Sequence, residues 1–113
     1  MPEFFENWTV QMRKGVVEFC ILRSLAQAER YGYELVKSLV NSPGLNTTEG
    51  TIYPLLSRLR TADLIEARLV ESKEGPARKY YRLTPKGRRQ LKLMNAYFET
   101  LSQTLTETGD QKA

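Results

Sequence analysis

The side chains able to do chemistry in this chain are few in kind: seventeen Lys/Arg, thirteen Asp/Glu, six Tyr, one cysteine and no histidine. Without histidine the commonest general base and metal ligand is missing, and Cys20 alone can form neither an intrachain disulfide nor a Cys-rich zinc site. No Ser–His or Cys–His pair can exist, and no G-x-x-x-x-G-K phosphate loop appears. We therefore expect no catalytic residues, no metal site and no cofactor. Cys20 sits among apolar residues of a helical pattern and reads as a structural thiol rather than a redox sensor. What remains is recognition chemistry, with cations for phosphates and hydroxyls, phenols and guanidiniums for base edges.

The cations are unevenly placed. The formal charge is +4, yet residues 58–92 hold eleven Lys/Arg against four acids, a net of +7. Residues 1–57 carry −1 and residues 93–113 carry −2. Such a basic stretch points to a polyanion partner, nucleic acid before membrane; a merely solvated basic surface is the plainer alternative. The apolar runs fall far short of the ~18 residues that cross a bilayer. The N-terminus also lacks a basic start followed by an apolar core. We expect no membrane association and a cytoplasmic location. A chain of 113 residues has room for one domain, or one with an extension.

The elements that must position these groups follow from periodicity. Val17, Ile21 and Leu25 recur every four residues, predicting a helix over Thr9–Ala28. Residues 1–8 precede it as an aromatic extension whose Phe4, Phe5 and Trp8 either fold back or dock on another chain. A second helix spans about Tyr31–Asn41 and ends at Asn41-Ser42-Pro43-Gly44. Ile52, Leu55, Leu56 and Leu59 put one apolar face on a third helix, with Thr48 as N-cap and Glu49 near the positive end of its dipole. Its other face presents Thr51, Tyr53, Pro54, Ser57 and Arg58. Pro54 costs about 3 kcal/mol inside a helix, unless regular helix begins only near Tyr53.

Beyond Leu64 the period changes to two. Ile65, Ala67 and Leu69 predict a half-buried strand, and residues 72–76 a loop. A second strand, Ala77–Leu83, completes a hairpin with Lys73, Arg78 and Lys79 at its tip. Thr84-Pro85 starts a last helix running to about Glu107, and residues 108–113 read as a flexible tail. Leu91, Met94, Phe98, Leu101 and Leu105 step by three and four along that helix, a seam suited to a partner helix, with Tyr97 at its flank.

Three helices, a hairpin and a helix make a mainly α fold with a small β-hairpin. This is a winged helix-turn-helix over 9–84 followed by a dimerisation helix over 85–107. In such a fold the third helix enters the major groove and the wing follows the phosphates. Two-fold pairing through the last helix would set both third helices on an inverted repeat in double-stranded DNA.

Three blocks carry a resemblance. Tyr31-Gly32-Tyr33-Glu34-Leu35, Glu49-Gly50-Thr51-Ile52-Tyr53-Pro54-Leu55-Leu56-Ser57-Arg58-Leu59, and the run Gly75 to Gly87 reading GPARKYYRLTPKG resemble the signature blocks of the PadR family. They run in order within roughly Gly15–Leu105. The resemblance implies a transcriptional regulator, in most members a repressor, that binds operators as a homodimer. It implies DNA contact by Tyr31, Thr48, Gly50, Thr51, Tyr53, Ser57, Arg58, Lys73, Arg78 and Lys79. The short subfamily has a single C-terminal helix that dimerises, here carrying Leu91, Met94, Phe98, Leu101 and Leu105, with Phe4 and Phe5 as further apolar surface. Some members respond to phenolic or flat hydrophobic molecules. Trp8, Tyr97 and Phe98 supply the facing aromatics that a small aromatic ligand would need. The alternative is a winged-helix adaptor for protein or RNA without operator specificity.

Overall fold

The computed structural model describes residues 2–109, with side chains from Glu3 onward. The order is α1 (Pro2–Gln27), β1 (Arg30–Tyr31), α2 (Gly32–Val40), α3 (Glu49–Thr61), β2 (Ile65–Ser72), β3 (Gly75–Leu83) and α4 (Pro85–Gly109). The strands form an antiparallel sheet in the order β1-β3-β2, with Tyr31 opposite Tyr80 and Ile65 opposite Leu83. The fold is the expected winged helix-turn-helix with a long terminal helix.

The periodic apolar positions meet in one core. Val17, Ile21 and Leu25 of α1 pack with Leu35, Val36 and Leu39 of α2 and with Ile52, Leu56 and Leu59 of α3. The sheet closes it with Ile65, Tyr81 and Leu83. Cys20 lies half-buried against this core, and burial pushes its thiol above the ordinary range.

Several boundaries differ from expectation. α1 begins at Pro2, so Phe4, Phe5 and Trp8 ride on a continuous helix instead of a separate extension, and all three are exposed. β1 was too short to show a period, and its existence depends on pairing with β3. The wing turns tightly at Lys73-Glu74, with Ser72 opposite Gly75. Lys73 is therefore at the tip, whereas Arg78 and Lys79 lie down the strand, opposite Val70 and Leu69. Leu69, expected to face inward, is 68% exposed because the hairpin has left the body by that point. Of the tail, Thr108 and Gly109 still belong to α4, and residues 110–113 lie outside the described residues.

The junction between α3 and α4 is tightly built. Asp63 takes a left-handed conformation (φ 63°) after α3, while Asp63 N–H donates to Arg60 O at 2.9 Å and Leu64 N–H to Leu59 O at 3.0 Å. These two bonds close a Schellman turn. The Thr84 hydroxyl accepts from Gly87 N–H at 2.9 Å, the expected N-cap, and donates to Asp63 O at 2.6 Å. Lys86 Nζ donates to Ala62 O at 3.1 Å. A Cβ on Gly87 would lie 2.0 Å from Leu64 O, so only glycine lets α4 pass here. The third helix and the terminal helix thus share one joint.

Candidate nucleic-acid interface

α3 turns Ile52, Leu56 and Leu59 into the core, which leaves Gly50, Pro54, Ser57 and Thr61 along its outermost line, all exposed. This line is small and nearly free of charge. Helix begins at Glu49, so Pro54 lies inside α3, not at its first position. The carbonyl of Gly50, which would have received the missing N–H, therefore lacks its intrahelical partner. Because Gly50 and Pro54 are both exposed, that carbonyl is not walled off from solvent, which limits the cost of the proline. Thr48 precedes α3 as N-cap through its backbone carbonyl, which accepts from Thr51 and Ile52 N–H, each at 3.0 Å. Its side chain makes no capping bond and instead meets Thr51 Oγ1 at 3.4 Å.

The two flanks of α3 differ. Tyr53 and Arg60 lie on the side of the sheet, where Tyr53 is 43% exposed. Burial first, then Glu49 and the nearby Tyr31 and Tyr33, push its phenol above the ordinary range, so it remains a hydrogen-bond donor at neutral pH. Arg58 lies on the other flank, 71% exposed, with its guanidinium 3.6 Å from Glu18 of α1. Ser57 lies between the two flanks, on the outermost line itself.

Tyr31 organises the start of the wing. Its ring stands 5.6 Å from Tyr80 and 6.1 Å from Tyr33, and the Arg78 guanidinium lies 4.9 Å from its centre. This cation–π contact holds Arg78 against the body rather than at the wing tip. Two other cations of the sheet are neutralised. Arg68 forms a bidentate pair with Glu29 at 2.6 and 2.8 Å, and Arg82 pairs with Glu66 at 2.6 Å. The Arg68 hydrogen bonds hold the Glu29 carboxyl below the usual carboxylate range. Among the described residues, Lys73, Arg78 and Lys79 take part in no ion pair and supply the free positive charge of the wing, beside the equally unpaired Glu71 and Glu74. The Glu29–Arg68 pair escaped sequence reasoning because its partners are 39 residues apart.

The terminal helix divides in two. Leu91 is only 5% exposed and belongs to the chain's own core, which removes it from the proposed partner seam. Met94 packs on the core's edge, whereas Phe98, Leu101 and Leu105 are exposed. α1 and α4 enclose an apolar cleft of about 480 Å³ whose walls include Gly15, Phe19, Leu93, Tyr97 and Phe98. Phe19 stands 5.4 Å from Phe98, and Arg23 ties the two helices by donating to Asn95 Oδ1 at 2.6 Å. The three expected ligand aromatics are therefore not all together. Tyr97 and Phe98 line the cleft, but Trp8 stacks on Phe5 at 6.2 Å, one turn beyond Met12 along the same face of α1. Phe19 occupies the place foreseen for Trp8.

A winged helix with a small outward line on α3 and unpaired wing cations has the build of a regulator-class protein. The family model described as "Transcriptional regulator PadR-like family" matches residues 21–93. The chain is 36% identical to the transcriptional regulator Rv3488 of Mycobacterium tuberculosis over 83 residues, 72% of this chain and 74% of that protein. Its structure is similar to that of a PadR-like transcriptional regulator from Bacillus cereus, with a TM-score of 0.81 and 42% identity, covering 90% of this chain and 99% of that one. A PadR family regulator from Eggerthella lenta gives a TM-score of 0.81 at 28% identity, over 98% and 96% of the two chains. The chain belongs to the PadR-like family of transcriptional regulators.

Proposed function

We propose that this protein is a cytoplasmic homodimeric repressor that binds an inverted repeat in double-stranded DNA through α3 and the wing. The observation that carries this reading is the contrast along one face. The outermost line of α3 is small enough to approach base edges closely, and the unpaired Lys73, Arg78 and Lys79 stand beside it for phosphates. Two such faces related by a two-fold axis would fit half-sites one turn apart, roughly 34 Å. The partner surface is the face of α4 carrying Met94, Phe98, Leu101 and Leu105, with the exposed Phe4 and Phe5 of α1. The cleft between α1 and α4 would take a flat aromatic effector. Its leverage on DNA binding would pass through the Thr84–Asp63 joint, since moving α4 moves the end of α3.

The test is an electrophoretic shift with the duplex upstream of the protein's own gene, over a range of salt. Sequence-selective, salt-sensitive binding is expected. Tyr53→Phe should cost discrimination between sites by about 1–3 kcal/mol without changing fold. Binding to single-stranded RNA alone, or to no nucleic acid, would overturn the reading in favour of an adaptor. For the effector, planar phenolic or cationic aromatics should quench Trp8, one turn from the cleft, and release DNA together. If no compound of such a panel does either, the effector part falls.

A further inference from the structure

A second cleft, of about 410 Å³, lies between α1 and the flank of α3 that faces away from the sheet. Three of its walls are cations: Arg13 and Lys14 of α1, and Arg58 of α3. No carboxylate lines it, although Glu18 reaches Arg58 from outside at 3.6 Å. Among the described residues, neither Arg13 nor Lys14 forms an ion pair. Asn46, Thr47, Thr48 and Thr51 complete the polar part, at the start of α3. Thr47 is 8% exposed, and its hydroxyl is buried with no hydrogen-bond partner. Three cations, three hydroxyls and no acid make this a place built for an anion.

The position narrows the choice of anion. The sheet and the unpaired wing cations lie on one flank of α3, and this cleft lies on the other. A helix ~10–12 Å across fills a major groove about 12 Å wide, so both its flanks face sugar–phosphate strands. With the wing on one strand, the opposite flank meets the other. We propose that Arg13, Lys14 and Arg58 seat phosphates of the DNA strand across the major groove from the wing, making α1 a second phosphate-contacting element. This rests on the DNA-binding reading above and adds residues to it. The local charge sum concealed them, because Glu3, Glu6 and Glu18 on the same helix cancel Arg13, Lys14 and Arg23 and leave α1 with no net charge.

The experiment compares wild type, Arg13→Gln/Lys14→Gln and the wing variant Lys79→Gln on a mixed-sequence duplex, measuring affinity against salt. Thermal unfolding checks each fold, and Lys14→Gln alone, at an exposed position, serves if the double variant unfolds. Each phosphate contact contributes about 0.9 to the log–log salt slope, so the double variant should lower it by about 1.8. On raising salt fourfold it should then lose about tenfold less affinity than wild type. If Lys79→Gln lowers the slope and the α1 variant leaves it unchanged, the strand assignment is overturned and the DNA reading stands. Wild type without salt-dependent duplex binding overturns both. Titration with inorganic phosphate separates a free anion from the strand. Phosphate binding that needs Arg13 and Lys14, beside an unchanged DNA slope, overturns the assignment.

Discussion

Replacing Gly50 by alanine should stabilise the protein and weaken its binding to DNA, two effects of opposite sign from one methyl group. The nearest atom that an added Cβ would meet is Thr48 Oγ1 at 3.7 Å, an ordinary contact, so nothing inside the chain requires glycine. Gly50 lies in the first turn of α3, where alanine's higher helix propensity gains about 0.5–1 kcal/mol. For a domain of this size that raises the melting temperature by a few degrees, at about 4 °C per kcal/mol. On the DNA side, the methyl stands on the outermost line of the helix and holds its backbone off by roughly one bond length, about 1.5 Å. A hydrogen bond of about 2.9 Å is then stretched beyond use. Loss of one such bond to a base edge costs about 0.5–1.5 kcal/mol, or roughly two- to tenfold in affinity. Thermal unfolding by circular dichroism and fluorescence anisotropy on an operator duplex read the two effects separately. Undiminished DNA affinity would refute the close approach at Gly50, and a lowered melting temperature would mean that the glycine serves the fold.

The other glycine of this kind behaves oppositely. Gly87→Ala would drive a methyl to 2.0 Å from Leu64 O, forcing α4 off the Schellman turn and breaking the Thr84–Asp63 bond. We expect a loss of about 2–4 kcal/mol in urea unfolding. Leu101→Glu puts a carboxylate on the exposed part of the α4 face, so sedimentation should show a monomer while circular dichroism stays native. Loss of helical signal instead would mean that Leu101 supports the monomer. Glu29 has a folded-state acidity stronger than its unfolded one, so its pair with Arg68 adds stability above the unfolded carboxyl value, about 4.3. That contribution is lost as pH falls through the lower folded value. The stability difference between wild type and Glu29→Gln should be constant near neutrality and shrink in acid, and a pH-independent difference would refute the pair's role.

Much of this protein is legible in the order of its residues. The apolar spacings of α2, α3 and the first strand residues define their inner faces, because a side chain's face follows from helical or strand period alone. Thr84-Pro85 starts α4 as the local capping rule requires. The outward face of α3 follows from the same logic, since it is whatever the apolar stripe leaves outside. The absence of histidine and the +7 stretch direct attention to recognition by cations before any contact is known.

What the period does not carry is partnership. Leu91 and Leu105 look alike in a heptad, yet one lies in the chain's own core and the other is exposed, since burial depends on how far the body extends beneath the helix. Arg68 and Arg82 count toward the basic stretch but are neutralised by Glu29 and Glu66, while Arg13 and Lys14 sit in an acidic-average segment and face a cleft without carboxylates. Charge along a chain sums neighbours in sequence; the field at a surface sums neighbours in space. The sequence by itself determined the four helices, the two strands of the wing, most of their inward faces and the family, but neither β1 nor the true start of α1. Which cations remain free, and that the first and last helices meet in an apolar cleft, were decided only when tertiary packing brought distant segments within a few ångströms.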